Sequence, residues 1–381
     1  MTPFGITAPG RILFGRGEAA KAPALIAAYG SRGILVHGAS AGRAGFLVEA
    51  LRAAGVDLQV HSCAGEPTLN DLTAALVHAR GHRPGWVAAI GGGAALDMGK
   101  ALAGLIPQVT DPLDHLESLG RGLALGNAPL PFIAIPTTAG TGAEATKNAV
   151  IGVPQQGRKV SLRDDRMLAR LAIVDPALTD NCPRSVTLAS GLDAITQVIE
   201  PYISCRATAF TDAISLPAIG FGMSALMRLM QGENALARDQ MAWVSLSGGL
   251  ALANAGLGAV HGLAGIIGGL TGAAHGAVCG ALLGPVLALN RRLAAQGTLA
   301  EQRLLQVCAI LGDCLGCTAQ DAPTALQDWA RQAGLPGLQA MGLSAHQHRD
   351  VAEAALTTSS MKGNPITPGV DALIHAMDQA G

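Results

Sequence analysis

His261 and His275 lie fourteen positions apart, and within 256–280 the only other ionisable side chain is Cys279. The wider segment 244–289 contains no Lys, Arg, Asp or Glu. Imidazoles in such surroundings are either ordinary core groups or ligands compensated by something brought from elsewhere, and a buried divalent metal would do that. A carboxylate is available upstream. Asp193 sits among Leu192, Ala194 and Ile195, with Arg184 as the one nearby residue of opposite sign, and Gln197 follows one turn later on the same helix face. A carboxylate on an apolar helix face needs a partner, which His261, His275 and a metal would provide. A divalent ion there would be a Lewis acid.

A second constellation suits a phosphate. Ile90 is followed by Gly91-Gly92-Gly93-Ala94-Ala95-Leu96-Asp97 where the chain turns from strand into helix. Glycines there let backbone N–H groups approach an anion at the positive end of the helix dipole, although a plain tight turn reads the same way. This is not the Gly-x-Gly-x-x-Gly fingerprint. Further on, Pro136-Thr137-Thr138-Ala139-Gly140-Thr141-Gly142 offers hydroxyls and glycines suited to a phosphate or ribose, and Lys159 lies between two expected strands where a cation could reach a cofactor. No Ser-His-Asp elbow is visible, so no catalytic side chain is expected beyond the metal site.

Elements able to position these residues follow from periodicity. Short β-like runs at 33–37, 57–62, 86–90, 131–135, 147–153 and 171–174 alternate over the first part with helix-like runs to about Ala54, from Leu69 to about Arg80, and from Ala94 to about Ile106. That alternation, with Gly and Pro at the junctions, predicts a parallel sheet wrapped by helices, with a nucleotide at its strand ends. Beyond Asp175-Pro176 the β pattern stops, and Ala- and Leu-rich helical segments take over, beginning with 184–202. The expected organisation is an α/β nucleotide-binding domain over 1–181 and an all-α metal- and substrate-binding domain over 182–381. The uncharged run 244–289 reads as a buried pair of helices. A membrane hairpin is the competing reading, opposed by dense glycine, Asn254, both histidines, and the lack of flanking basic clusters or aromatic belts.

Composition excludes several classes of partner. Net charge is −1, from 26 basic and 27 acidic side chains with no long run of either sign, so neither nucleic acid nor a polybasic membrane contact is expected. The seven cysteines are scattered and odd in number, as suits reduced thiols in the cytoplasm. Cys314-x-x-Cys317 has no second pair, which favours packing over metal binding. Residues 1–17 lack the pattern of a signal peptide.

Taken together, Arg11-Ile12-Leu13-Phe14-Gly15, Gly91-Gly92-Gly93 with Asp97, Pro136-Thr137-Thr138 with Gly140-Thr141-Gly142, Val174-Asp175-Pro176, Gly191-Leu192-Asp193-Ala194 and the two spaced histidines resemble the iron-dependent (group III) alcohol dehydrogenases, related in fold to dehydroquinate synthase. The resemblance runs nearly end to end. It implies a dinucleotide-binding domain, a helical domain, a metal (Fe2+ or Zn2+) in the cleft between them, NAD or NADP as hydride carrier, a small alcohol/aldehyde substrate and a homodimer. The family's ligand positions fall on Asp193, Gln197, His261 and His275, and the candidate nucleotide-binding residues are Gly38, Ser40, Gly92, Gly93, Ala94, Asp97, Thr137, Thr138, Thr141 and Lys159.

Three departures stand out. Gln197 replaces a histidine, a weaker and harder donor. Gly265 stands where relatives often carry a histidine, and Ala94 where most have serine. Relatives that prefer NAD often carry Asp at the Gly38 position; its absence, with Ser40 and Arg43 close by, predicts that NADP(H) is accepted. Two alternatives on the same fold are a maleylacetate-type oxo-acid reductase, with Lys362 and Arg349 as candidate cations, and a non-redox metal lyase or cyclase.

Overall fold

The computed structural model describes residues 3–117 and 119–381. The chain divides into two compact units, one comprising 8–138 and 142–180, the other 3–7, 139–141 and 181–381.

The first unit is built on strands β1 (Ile12–Phe14), β2 (Arg32–His37), β3 (Asp57–Ser62), β4 (Trp86–Gly91), β5 (Phe132–Pro136) and β8 (Leu171–Val174), in the spatial order β1-β8-β5-β4-β2-β3, all parallel. Every residue of β4 is buried, as expected of a central parallel strand covered on both faces. Alternation along the strands sorts the two faces. Ile34, Val36, Val87, Ala89 and Ala134 point into one core with α3 (Leu69–His82) and α4 (Gly93–Leu105). Leu35, Trp86, Ala88, Ile90 and Ile135 point into the other, with α1 (Ala22–Ala27) and α2 (Ala41–Ala53). Strand order reverses between β2 and β4, so the turns after His37 and Gly91 emerge side by side at the strand ends.

The structure corrects the sequence reading of 147–163. The expected strand there, β6 (Asn148–Val153), does not join the sheet; it pairs antiparallel with a strand that was not anticipated, β7 (Arg158–Arg163), as a separate hairpin. Lys159 therefore lies within a strand, opposite Gly152, and not in a connection.

The second unit carries no strand among its described residues. Its helices are α5 (Arg184–Ile203), α6 (Ala209–Gln231), α7 (Ala235–Ala255), α8 (Ala259–Thr271), α9 (His275–Leu293), α10 (Leu299–Leu315), α11 (Ala322–Gln332), α12 (His348–Leu356) and α13 (Val370–Gln379). The uncharged run is not a pair of helices but parts of three, because glycines at 256, 258 and 272 interrupt it; Gly256 and Gly272 hold φ of +70°. Most of its aliphatic side chains lie in one core with those of α5 and α6. Among the described residues α6 is long and apolar enough to cross a membrane by length and composition, with 44% of the relevant window buried, and α7 with α8 passes together but is bent by 102°.

Candidate active site

Asp193 lies in the middle of α5, whose consecutive residues from Gly191 to Ile203 are all buried. His261 is in the first turn of α8 and His275 is the first residue of α9. The fold brings these three together. His261 Nε2 lies 3.3 Å and His275 Nε2 3.9 Å from Asp193 Oδ1, and the two rings are 5.3 Å apart at 53°. Cys279, one turn beyond His275 on α9, joins them: its sulfur is 3.7 Å from His275 Nε2, and one donor atom from each of the four residues falls within 4.8 Å of the others.

Asp193 Oδ1 and His261 Nε2 are buried and make no hydrogen bond, despite their proximity. Leaving such groups unsatisfied costs on the order of 1–3 kcal/mol each. One carboxylate, two imidazoles and a thiol converging on such a point are a donor set that a divalent transition metal satisfies. Gln197 is 2% exposed; its amide nitrogen donates to Gly140 O at 3.4 Å, and its carbonyl oxygen is buried without a partner.

Close backbone approach permits the cluster. A Cβ on Gly276 would lie 2.4 Å from Ala189 O, so only glycine lets α9 begin this near to α5. At Gly258 a Cβ would lie 2.9 Å from Glu200 Oε1. Glu200 is two turns beyond Asp193. Its two oxygens accept from Val260 N at 2.7 Å and pair with His261 Nδ1 at 2.6 Å, so His261 Nε2 is free to face Asp193.

Electrostatics follow the geometry. Burial works against the charged form of Asp193, but His275 and His261 outweigh it and hold the carboxyl below its usual range. Burial also pulls both histidines down. Cys279, Glu200 and Asp193 reverse this at His261, which is raised well above its ordinary value, and Cys279 and Asp193 carry His275 to about 9.

All but one of the nucleotide-type residues belong to the first unit. Gly38 N donates to Ile90 O at 3.2 Å and Thr137 N to Gly91 O at 2.9 Å, while a Cβ on Gly92 would lie 3.3 Å from Thr138 Oγ1. Gly92 caps α4 without a side-chain hydrogen bond, as Ser40 does for α2. Ala94 O accepts from Cys63 Sγ at 3.5 Å. Thr141 falls in the other unit, next to Gly140, whose Cβ would lie 2.8 Å from Ser190 Cβ. Asp97 accepts from Val150 N at 3.1 Å and Lys159 pairs with Glu66, so both are engaged in holding the β6–β7 hairpin. Arg43 donates to Leu178 O at 2.7 Å.

Sequence reasoning missed Cys279 as a donor and Glu200 as the group that orients His261. The available signals were spacings: Cys279 is four residues after His275, and Glu200 seven after Asp193, each on the same helix face.

Comparison with known proteins agrees with this architecture. Residues 9–176 match the family described as iron-containing alcohol dehydrogenase, and residues 187–380 match the C-terminal domain of the same family. A probable alcohol dehydrogenase, EutG of Escherichia coli (strain K12), is 32% identical over 337 residues, 88% of this chain and 82% of that protein. Lactaldehyde reductase of the same organism is 33% identical over 282 residues, 74% of this chain and 72% of that protein. The structure of an alcohol dehydrogenase from Oenococcus oeni superimposes with a TM-score of 0.88 at 25% identity, covering 100% of both chains. With two family domains matched in order, the chain belongs to the iron-containing alcohol dehydrogenases, oxidoreductases of alcohol/aldehyde pairs that use a nicotinamide cofactor and a divalent metal.

Proposed function

We propose that Asp193, His261 and His275 hold a divalent metal, iron or zinc, and that the substrate is a small alcohol or its aldehyde. The observation that carries this reading is the pair of buried donors without partners, Asp193 Oδ1 and His261 Nε2, with His275 Nε2 beside them. When bound, the metal supplies Lewis acidity, which lowers the pKa of an alcohol and polarises a carbonyl. The remaining work falls to the chain. Glu200 fixes the orientation of the His261 ring. Asp193 contributes negative charge, and the uncharged segment 244–289 keeps the surroundings low in dielectric, which would strengthen the attraction between that charge and a cation. Gly265 offers no side chain for proton relay, and a Cβ there would meet nothing within 4 Å, so solvent or the substrate itself carries the proton.

For the cofactor, Gly92, Gly93, Thr137 and Thr138 are the proposed pyrophosphate cradle, at the point where strand order reverses. Gly38 and Ser40 are the proposed neighbours of the adenosine ribose. No carboxylate at Gly38 repels a 2′-phosphate, so NADP(H) is accepted as well as NAD(H). A strong preference for NAD(H) in kcat/KM overturns that choice. The oxo-acid alternative is less well supported: of its candidate cations, Arg349 is largely exposed and pairs with Asp371, and Lys362 is exposed. Seven unpaired cysteines suit a reducing compartment such as the cytoplasm.

The test is cofactor absorbance with a panel of primary alcohols, aldehydes and oxo-acids after reconstitution with Fe(II) or Zn(II). His275→Ala is expected to lose metal and turnover together. Full activity in metal-free protein overturns the reading.

A further inference from the structure

We infer that Cys279 is a fourth protein ligand of this metal, through its sulfur, in place of the imidazole that Gln197 does not provide. The inference rests on the reading that the cluster holds a divalent ion. Its own basis is placement. Cys279 is fully buried, and its sulfur is one of the four donor atoms that lie within 4.8 Å of one another. Of the separations within the cluster, 3.3 and 3.7 Å are close to the edges of a tetrahedron whose corners sit roughly 2.0–2.3 Å from a central ion, and the third, 3.9 Å between His275 Nε2 and Asp193 Oδ1, is longer. His275 and Cys279 stand at i and i+4 of α9, a spacing that puts two donors on one helix face, so a single helix delivers both. Two buried atoms without partners, Asp193 Oδ1 and His261 Nε2, are independent marks of a ligand at the same place.

The chemistry differs from a site of one carboxylate and three imidazoles. A thiol binds after giving its proton to solvent, so the protein then supplies two negative charges, from Asp193 and Cys279. Sulfur is a soft donor and favours zinc or cobalt(II) more than a hard oxygen does. Gln197 keeps the bond from its amide nitrogen to Gly140 O, and its buried Oε1, which also lacks a partner, offers only a weaker, neutral oxygen.

The metal-stripped full-length chain is titrated with Co(II), and the absorption spectrum is recorded for the unmodified protein, Cys279→Ser, Gln197→Ala and His275→Ala. The unmodified protein is expected to bind one equivalent with a near-ultraviolet sulfur-to-cobalt charge-transfer band. Cys279→Ser is expected to lose that band and to bind about tenfold or more weakly, while retaining visible ligand-field bands. Gln197→Ala keeps the charge-transfer band. Stoichiometric binding by the unmodified protein without the band overturns ligation by Cys279 and leaves the metal site standing. Failure of the unmodified protein to bind Co(II) overturns the metal reading itself, and this inference with it.

Discussion

Glu200 reaches no metal-type donor position, yet it decides what His261 is able to do. By engaging Nδ1 at 2.6 Å it leaves Nε2 as the ring atom directed at Asp193. Glu200→Gln is therefore expected to lower zinc affinity by about 10- to 100-fold, read by competition with a chromophoric chelator. Unchanged affinity would show that packing alone orients the ring. Protons compete with metal at the same atoms. His275 is carried to about 9, so below that pH a proton must leave for the metal to bind. Zinc affinity is expected to rise with pH from neutrality to about 9; a profile already flat from neutrality contradicts this. At this scale Asp193, His261 and His275 were legible because charge and imidazole stand out in apolar sequence. Cys279 was not, since a cysteine among alanines and valines reads equally as packing. Nor was Glu200, whose role depends on Gly258 leaving space beside it.

Elements with strong periodicity or clear punctuation were readable: β3 and β8 fall on the expected residues, and α5 runs Arg184–Ile203 against an expected 184–202. The β7 strand was hidden because its six residues, Arg-Lys-Val-Ser-Leu-Arg, carry three cations and form only half of a two-stranded hairpin outside the sheet. Glycine carries opposite meanings in two neighbouring helices. In α8, a Cβ at Gly265 meets nothing within 4 Å, so Gly265→Ala is expected to stabilise the protein by about 0.5–1 kcal/mol through lost unfolded-state entropy. In α9, Gly276→Ala would drive a methyl to 2.4 Å from Ala189 O, and an overpacking cost of roughly 1–3 kcal/mol is expected with weakened metal binding. Denaturant midpoints of the two variants test the pair. Equal shifts in one direction would mean that the α5–α9 approach is not the constraint described here.

At the scale of the whole molecule, stability depends on buried charges that the sequence pattern did not flag. Lys100, on α4, is fully buried; its ammonium donates to Ala143 O at 2.8 Å, Thr146 Oγ1 at 3.0 Å and Asn148 O at 2.8 Å. These bonds anchor the segment that follows the threonine-rich turn. Burial lowers its pKa to about 8, against the opposing pull of Asp97 and Glu144. Glu144, buried in the same place, is pushed by burial from 4.5 to about 7, with its own backbone N–H and Lys100 acting in the opposite sense. Because the folded state holds this proton more tightly than the unfolded chain, the stabilisation is complete below about pH 4.5 and is lost as pH rises towards about 7. The loss is on the order of 3 kcal/mol. Glu144→Gln stays neutral throughout and escapes it. The unfolding free energy of the variant minus that of the parent is therefore expected to increase from pH 4.5 to about 7 and to stay constant above that, measured by denaturant titration at fixed ionic strength. A difference that does not vary with pH across this window would mean that Glu144 is ionised in the folded protein throughout, with Lys100 compensating its charge.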